Sequence, residues 1–321
     1  MLSEASPVAS HPISRRAQEV PWSGIRHMFE LAAKVPEAIS LSVGQPDFDT
    51  PEHIVEACQQ ALAAGYTRYA PALGLRELRE AIARKVWRDN GIEIDPLQEA
   101  IVAAGAVEGL LLTLMAVLDP GDEVILPDPG YTNFEGIIRV INGVPVRVPV
   151  REENSFRLEA EEVEKAIGDR TRVMIVNSPA NPTGAVLLRS DLEKLAELAL
   201  RHNLLLISDE AYEAFLYDGL KHTSVASFPG MKDHVASVYT LSKTYAMTGW
   251  RIAYVVGPKW LINQMHKMQE DVVSCVATFV QHAAATALDG PQDSVRKMVS
   301  EFDARRKFLV KALNEIEGIR C

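Results

Sequence analysis

Residues 235–256 read VASVYTLSKTYAMTGWRIAYVV. A β-branched, aromatic run (235–241) and a second strand-like run (252–256) enclose the stretch SKTYAMTGWR, residues 242–251. Lys243 stands at the end of the first run, and Arg251 follows across a glycine turn. Lysine and arginine are rarely buried without a partner. Two cations brought together here point to an anionic, electrophilic ligand such as a phosphorylated aldehyde. The competing reading is a surface lysine and a surface arginine flanking a hairpin, so the rest of the chain has to choose.

Outward from this stretch the chain alternates short apolar runs with helix-length segments. Strands are expected at 100–103, 123–126, 144–150, 173–176, 204–207, 237–241 and 252–256. Helices are expected between them, including 110–118, 160–167 and one from 190. Such a rhythm predicts an α/β protein with a mostly parallel sheet buried on both faces. In sheets of this kind the chemistry gathers at the carboxyl ends of the strands. Before residue 100, residues 1–22 read as a poorly ordered arm and 25–35 as a helix. Residues 38–43 (AISLSV) read as a short strand leading into Gly44-Gln45-Pro46-Asp47-Phe48. Residues 51–64 form a helix with Thr50 as its N-cap, and 74–89 an amphipathic helix. After Gly257 two helices are expected, 259–288 and 291–316.

The whole composition excludes several classes. The chain has 321 residues, 47% apolar and 24% charged, with a net charge of −10. That is globular composition, and the acidic balance argues against a nucleic-acid partner. Three scattered cysteines and eight unclustered histidines predict neither a disulfide framework nor a metal site. The polar N-terminus lacks the apolar core of a secretory signal, and residues 110–118 are too short to cross a membrane. A cytoplasmic protein is therefore expected.

The unusual residues fall after the predicted strands. Ala104-Gly105-Ala106-Val107-Glu108-Gly109 joins a strand to a helix, where small residues and free N–H groups suit phosphate. Small residues also serve tight strand–helix packing, so the segment alone does not decide. Asp128-Pro129-Gly130-Tyr131 offers an aromatic face for a flat heterocycle. NSPANPTG, residues 177–184, is strong turn chemistry in which Asn181 can donate to a ligand oxygen. Ser208-Asp209-Glu210-Ala211-Tyr212 carries a carboxylate at the end of an apolar strand, which is costly unless it meets a cation. Thr240 and Ser242 add hydroxyls beside Lys243, which can form a Schiff base, while Arg251 can grip a phosphate. An imine-forming lysine, a carboxylate for a pyridinium, donors for a phenolate, a stacking face and a phosphate cup are together what pyridoxal phosphate needs.

With these motifs the chain resembles the class I/II aminotransferases, fold-type I pyridoxal-phosphate enzymes. The resemblance runs from about Ile25 to the end. GQPDF (44–48), YAPALG (69–74), NSPANPTG, SDEAY and SKTYAMTGWR stand in family order. It implies a three-layer α/β/α sandwich with an incomplete small domain. Residues 1–48 would be an arm and part of the small domain, 49–290 the large cofactor-binding domain, and 291–321 the start of the C-terminal small domain. Lys243 would be the Schiff-base lysine, Asp209 the partner of the ring nitrogen, and Asn181 and Tyr212 the partners of its phenolic oxygen. Tyr131 would stack on the ring, while Gly105, Ala106, Val107, Thr240, Ser242 and Arg251 would cradle the phosphate. Lys243, Asp209 and Tyr212 would be catalytic, and Gly44 and Asn181 would meet the substrate. Tyr69 would reach the neighbouring subunit's phosphate, implying a homodimer. The reaction implied moves an amino group between an L-amino acid and a 2-oxo acid. A C–S lyase or a cofactor-binding but inactive homologue would share these motifs.

Two departures from the family stand out. Its usual glycine two residues past the arginine is Ala253 here. Its arginine for the substrate α-carboxylate lies farther past the lysine than Cys321, so most of the small domain is expected to be missing. Arg296, Arg305, Arg306 and Arg320 read as solvated charges on a helical face.

Overall fold

The computed structural model of the chain describes residues 12–22, 24–35, 37 and 44–321. The strand expected at 38–43 lies outside the described residues. Short helices α1 (Arg15–Glu19) and α2 (Gly24–Ala32) come first. They are followed by α3 (Glu52–Ala63) and α4 (Arg76–Asn90). The alternation then runs β1 (Ala100–Ala103), α5 (Ala106–Val117), β2 (Glu123–Asp128), α6 (Asn133–Val140), β3 (Val144–Pro149) and α7 (Ala160–Ala166). It continues with β4 (Thr171–Asn177), α8 (Arg189–Arg201), β5 (Leu205–Asp209), β6 (Val235–Thr240), α9 (Leu241–Thr244) and β7 (Ala253–Val256). Helices α10 (Lys259–Val272), α11 (Thr278–Asp289) and α12 (Asp293–Asn314) close the described chain.

The strands form one seven-stranded sheet in the order β1-β7-β6-β5-β4-β2-β3. β7 runs antiparallel to both its neighbours and the other pairs are parallel. The expectation of a mostly parallel sheet therefore holds. The strands are apolar nearly throughout because both faces are covered. One face buries Ile101, Val173, Ile207, Val238 and Val255 against α5, α6 and α10. The opposite face splits in two: Met174, Val176 and Leu206 pack on α7 and α8, while Ala100, Val102, Tyr239 and Tyr254 pack on α3, α4 and α11. Neighbouring residues of a strand enter different clusters because strand side chains alternate faces. The result is three layers, α/β/α.

Several expected boundaries move for identifiable reasons. Thr50 does not cap α3; Pro51 takes the N-cap position without a side-chain bond. The Thr50 hydroxyl instead donates to the Ala246 carbonyl at 2.8 Å and accepts from the Trp250 indole at 3.1 Å. The single helix expected at 259–288 is two, α10 and α11, separated where Ser274 takes a positive φ of 69°. Lys243 lies in the one-turn helix α9 just beyond β6, not in the strand itself. Arg296 and Arg320 are exposed as expected, but Arg305 and Arg306 are more than a solvated face. Arg305 pairs with Asp47 and Glu301, and Arg306 with Asp218 and Asp303.

Gly74 precedes α4 with φ +99°, and an added Cβ would lie 2.3 Å from Val102 Cγ2. Gly65 also has positive φ, +81°, but no atom stands within 4 Å of its would-be Cβ. Gly74→Ala should therefore destabilise the chain by about 2–4 kcal/mol, and Gly65→Ala by only about 1 kcal/mol. Equal losses for the two in denaturant unfolding would contradict this packing.

Candidate active site

The topology brings distant motifs to one edge of the sheet. β1 and β6 both run antiparallel to β7, so their carboxyl ends lie beside its beginning; Ala253 is opposite both Ala103 and Thr240. The turn after β1 (Gly105), the turn after β6 (Ser242, Lys243) and the residue leading into β7 (Arg251) thus converge. On the parallel side Asn177 stands opposite Asp209 at the last rung of β4 and β5.

Between these ends lies a cavity of about 280 Å³. Gly44, Ala106, Val107, Tyr131, Asn181, Asp209, Tyr212, Thr240, Ser242, Lys243 and Arg251 line it, so most of the residues singled out in the sequence meet there. Gly105 does not line it but makes room beneath it. A Cβ on Gly105 would lie 2.1 Å from Arg251 Nη2, so the guanidinium rests where any other residue would put its side chain. Gly105 also holds φ +94°, which favours glycine. Gly109 serves the packing role instead, since its Cβ would meet Val255 Cγ2 at 2.8 Å. The packing reading of that small-residue segment is therefore realised at Gly109, while Gly105 makes room for Arg251. Tyr69 is not brought in; it is 91% exposed and lies outside the cavity. Gln45, Leu110, Asn177, Ala211 and Thr248 also line the cavity and were not assigned from sequence. Each lies within or beside a motif quoted above, and its side chain's direction is what the motif alone withholds.

The charges are arranged with a definite polarity. Asp209 is buried, and its Oδ1 accepts the Ala211 N–H at 3.1 Å. Among the described residues it has no ion pair. Burial, with Glu210 adding to it, pushes its pKa up to about 6. Burial and then Asp209 push Tyr212 up to about 12, which keeps its hydroxyl a donor. Burial, followed by Arg251, lowers Lys243. Lys243 Nζ donates to the Gly44 carbonyl at 2.6 Å, and Arg251 Nη1 to the Thr248 carbonyl at 3.0 Å. Thr240 Oγ1 accepts the Ser242 N–H at 3.1 Å, fixing the turn before the lysine. Tyr131 packs edge-on against Phe134 at 5.3 Å, which sets its ring plane.

Behind Asp209, Glu210 receives bonds from Ser208, Ser224 and His222 at 2.9, 2.6 and 2.7 Å. Burial opposes the His222 charge, and Glu210 overcomes it, leaving His222 above its ordinary pKa. Glu210, Glu213 and His222 have the residue types of a metal site, but the Lys85 ammonium sits on Glu213.

These features fit pyridoxal phosphate. A buried carboxylate without a cation suits a protonated ring nitrogen. The N-terminus of α5 with Arg251 laid over Gly105 suits a phosphate, and a lysine of lowered pKa suits an aldehyde.

Comparison with known proteins places the chain in a family. The family described as aminotransferase class I and II matches residues 36–321. The aspartate aminotransferase of Pyrococcus abyssi is 46% identical, over 95% of this chain and 79% of its own length. Aromatic-amino-acid aminotransferase 2 of Thermococcus litoralis is 42% identical over the same shares. The crystal structure of the aspartate aminotransferase from Rhizobium meliloti superposes with a TM-score of 0.93 at 40% identity, covering 96% of this chain and 78% of that one. The chain belongs to the class I and II aminotransferases. It is an enzyme that depends on pyridoxal phosphate to move an amino group between an amino acid and a 2-oxo acid.

The Asp209 shift has a consequence for the cofactor-free chain. Its folded pKa of about 6 lies above the unfolded 3.8, so the native chain keeps a proton that the unfolded chain has lost. Its contribution to stability is complete below about pH 4 and is lost as pH rises through about 6. Asp209→Asn should therefore be more stable than the parent at pH 7.5 by up to about 3 kcal/mol, and equal to it near pH 4. Unfolding of both proteins without cofactor across that range measures the difference.

Proposed function

We propose that the cavity residues divide the work of transamination as the resemblance implies. When bound, pyridoxal phosphate supplies an aldehyde for the amino group and a ring that takes up the electrons of the broken Cα–H bond. Lys243 Nζ would hold the cofactor at its aldehyde carbon, with water leaving, and once free would carry the proton at the substrate Cα; its lowered pKa favours both. Asp209 would hold the proton on the ring nitrogen, where a cation would offset the burial that raises its pKa. Asn181 and Tyr212 donate to the phenolic oxygen, and Tyr131 covers one face of the ring. Arg251, Thr240, Ser242 and the N–H groups of Ala106 and Val107 bind the phosphate, with Gly105 giving Arg251 its place. Gly44 and Asn181 meet the substrate. Residues 49–290 act as the cofactor-binding domain, with 1–48 and 291–321 contributing to the small one. The observation that carries this reading is the convergence of Lys243, Asp209 and Arg251 on one cavity.

We further propose a cytoplasmic homodimer in which Tyr69 reaches the partner's phosphate; its nearly complete exposure supports this. L-Aspartate and aromatic L-amino acids are the first donors to test, because relatives are named for them.

Lys243→Ala should lose the visible absorption of the cofactor-loaded protein, and borohydride should attach the cofactor to Lys243 in the parent. A persistent band in the variant, or labelling elsewhere, defeats the lysine assignment. Asp209→Ala should retain cofactor yet lose turnover by at least about a hundredfold. Light scattering should give twice the mass of one chain. Tyr69→Phe should leave that mass unchanged while weakening cofactor affinity.

A further inference from the structure

Asn177 has no role in the reading above, yet it is the side chain that physically joins two of its parts. It is 6% exposed at the carboxyl end of β4 and stands in register with Asp209. Its Nδ2 donates to the Asp209 main-chain carbonyl at 3.1 Å. Its Oδ1 accepts the Asn181 N–H at 2.8 Å. The same Asp209 carbonyl also accepts the Ser178 N–H at 3.3 Å, the last main-chain bond from this strand to β5. Beyond it the chain turns through Pro179 and Pro182, which have no N–H to offer. A side-chain amide carries a donor and an acceptor at once, and here both are used on main chain. Although Asn177 borders the cavity, its polar atoms are committed elsewhere.

We propose that Asn177 is a positioning residue that fixes the spacing between Asp209 and Asn181, and so sets both hydrogen bonds to the cofactor ring. This rests on the roles given above to Asp209 and Asn181. Asp209 sits on a strand of the sheet, whereas Asn181 sits on a turn bounded by prolines. Without the Asn177 bridge, that turn keeps the bonds of Ala180 with Gly184 and Ala185, which close it on itself. It also keeps the Ser178 hydroxyl, which accepts the Leu187 N–H at 3.0 Å and ties the turn to the following segment. Neither contact refers the turn to β5 through a side chain. Displacement of a binding group by even about 1 Å weakens function by orders of magnitude, which is why a buried bridge of this kind matters.

The test compares cofactor-loaded Asn177→Ala and Asn177→Asp with Ser178→Ala, Asn181→Ala and Asp209→Ala. Readouts are the dissociation constant for pyridoxal phosphate, the pH midpoint of its visible band, kcat against KM, and the melting temperature. Asn177→Ala should raise the dissociation constant and lower kcat by about tenfold or more, and displace the pH midpoint. Asn177→Asp keeps the acceptor for Asn181 and loses the donor to Asp209. It should fall between parent and Asn177→Ala in affinity, and it carries the comparison if Asn177→Ala does not fold. Ser178→Ala should lower the melting temperature and leave affinity and pH midpoint within about twofold, as a residue that only steadies the turn would. The Asn177→Ala/Asn181→Ala pair should bind no more weakly than Asn181→Ala by more than a few-fold, because one acts partly through the other. An Asn177→Ala profile matching Ser178→Ala, with affinity and midpoint unchanged, overturns the proposal. So do fully multiplicative losses in the double variant. If Asn181→Ala and Asp209→Ala themselves leave affinity, midpoint and kcat intact, the site reading falls and this proposal with it.

Discussion

A carboxylate buried at the end of β5, with a main-chain N–H as its neighbour, sets the terms for the rest of this fold. Such a group is expensive to leave without a counter-charge. The chain tolerates it because a sheet covered on both faces holds Asp209 in place whether or not a ligand has arrived. The same burial raises Tyr212 and lowers Lys243, so the groups around the cavity are held away from their solution protonation states. Environments that push titratable groups in opposite directions are what proton-transfer chemistry requires.

The two cations of the cavity are treated differently from those on the surface. Among the described residues, Lys243 and Arg251 bond to carbonyl oxygens, Gly44 and Thr248, and not to carboxylates. Neither side chain is therefore spent on a carboxylate. Arg305 and Arg306 on α12 are instead neutralised by Asp47 and Asp218, pairs of a kind that adds little stability. Those pairs flank Phe302, which lies between Phe48 and Phe215, 5.5 and 5.7 Å away. α12 thus fastens the 44–48 segment and the segment after Tyr212 to one another.

Much of this was readable from residues because polar motifs at the ends of apolar strands are chemically out of place. Asp209 after an all-apolar run and Lys243 before a glycine turn announce themselves. What stayed hidden depended on partners far along the chain. Thr50 looks like an N-cap until Ala246 and Trp250 take its hydroxyl. The reversed direction of β7 is invisible in its four apolar residues, because a strand's pattern does not encode which neighbour it will run against. Asn177 reads as one more turn-forming asparagine, and only the register of β4 on β5 reveals where its amide goes. The break at Ser274 falls in a segment whose helical periodicity continues on both sides.

The guanidinium of Arg251 lying in the space above Gly105 joins the two halves of the chain at one atom-sized vacancy. During synthesis, β1 and the start of α5 leave the ribosome long before β7 exists to bring that arginine back. The meeting of Arg251 with Gly105 is therefore a late, non-local product of folding, of the kind that loop-closure entropy makes slow. A nascent chain that has not yet released residue 251 has the start of α5 without its arginine. The cavity accordingly waits on nearly the whole sheet, so a chain that has closed it is one whose central fold is already assembled.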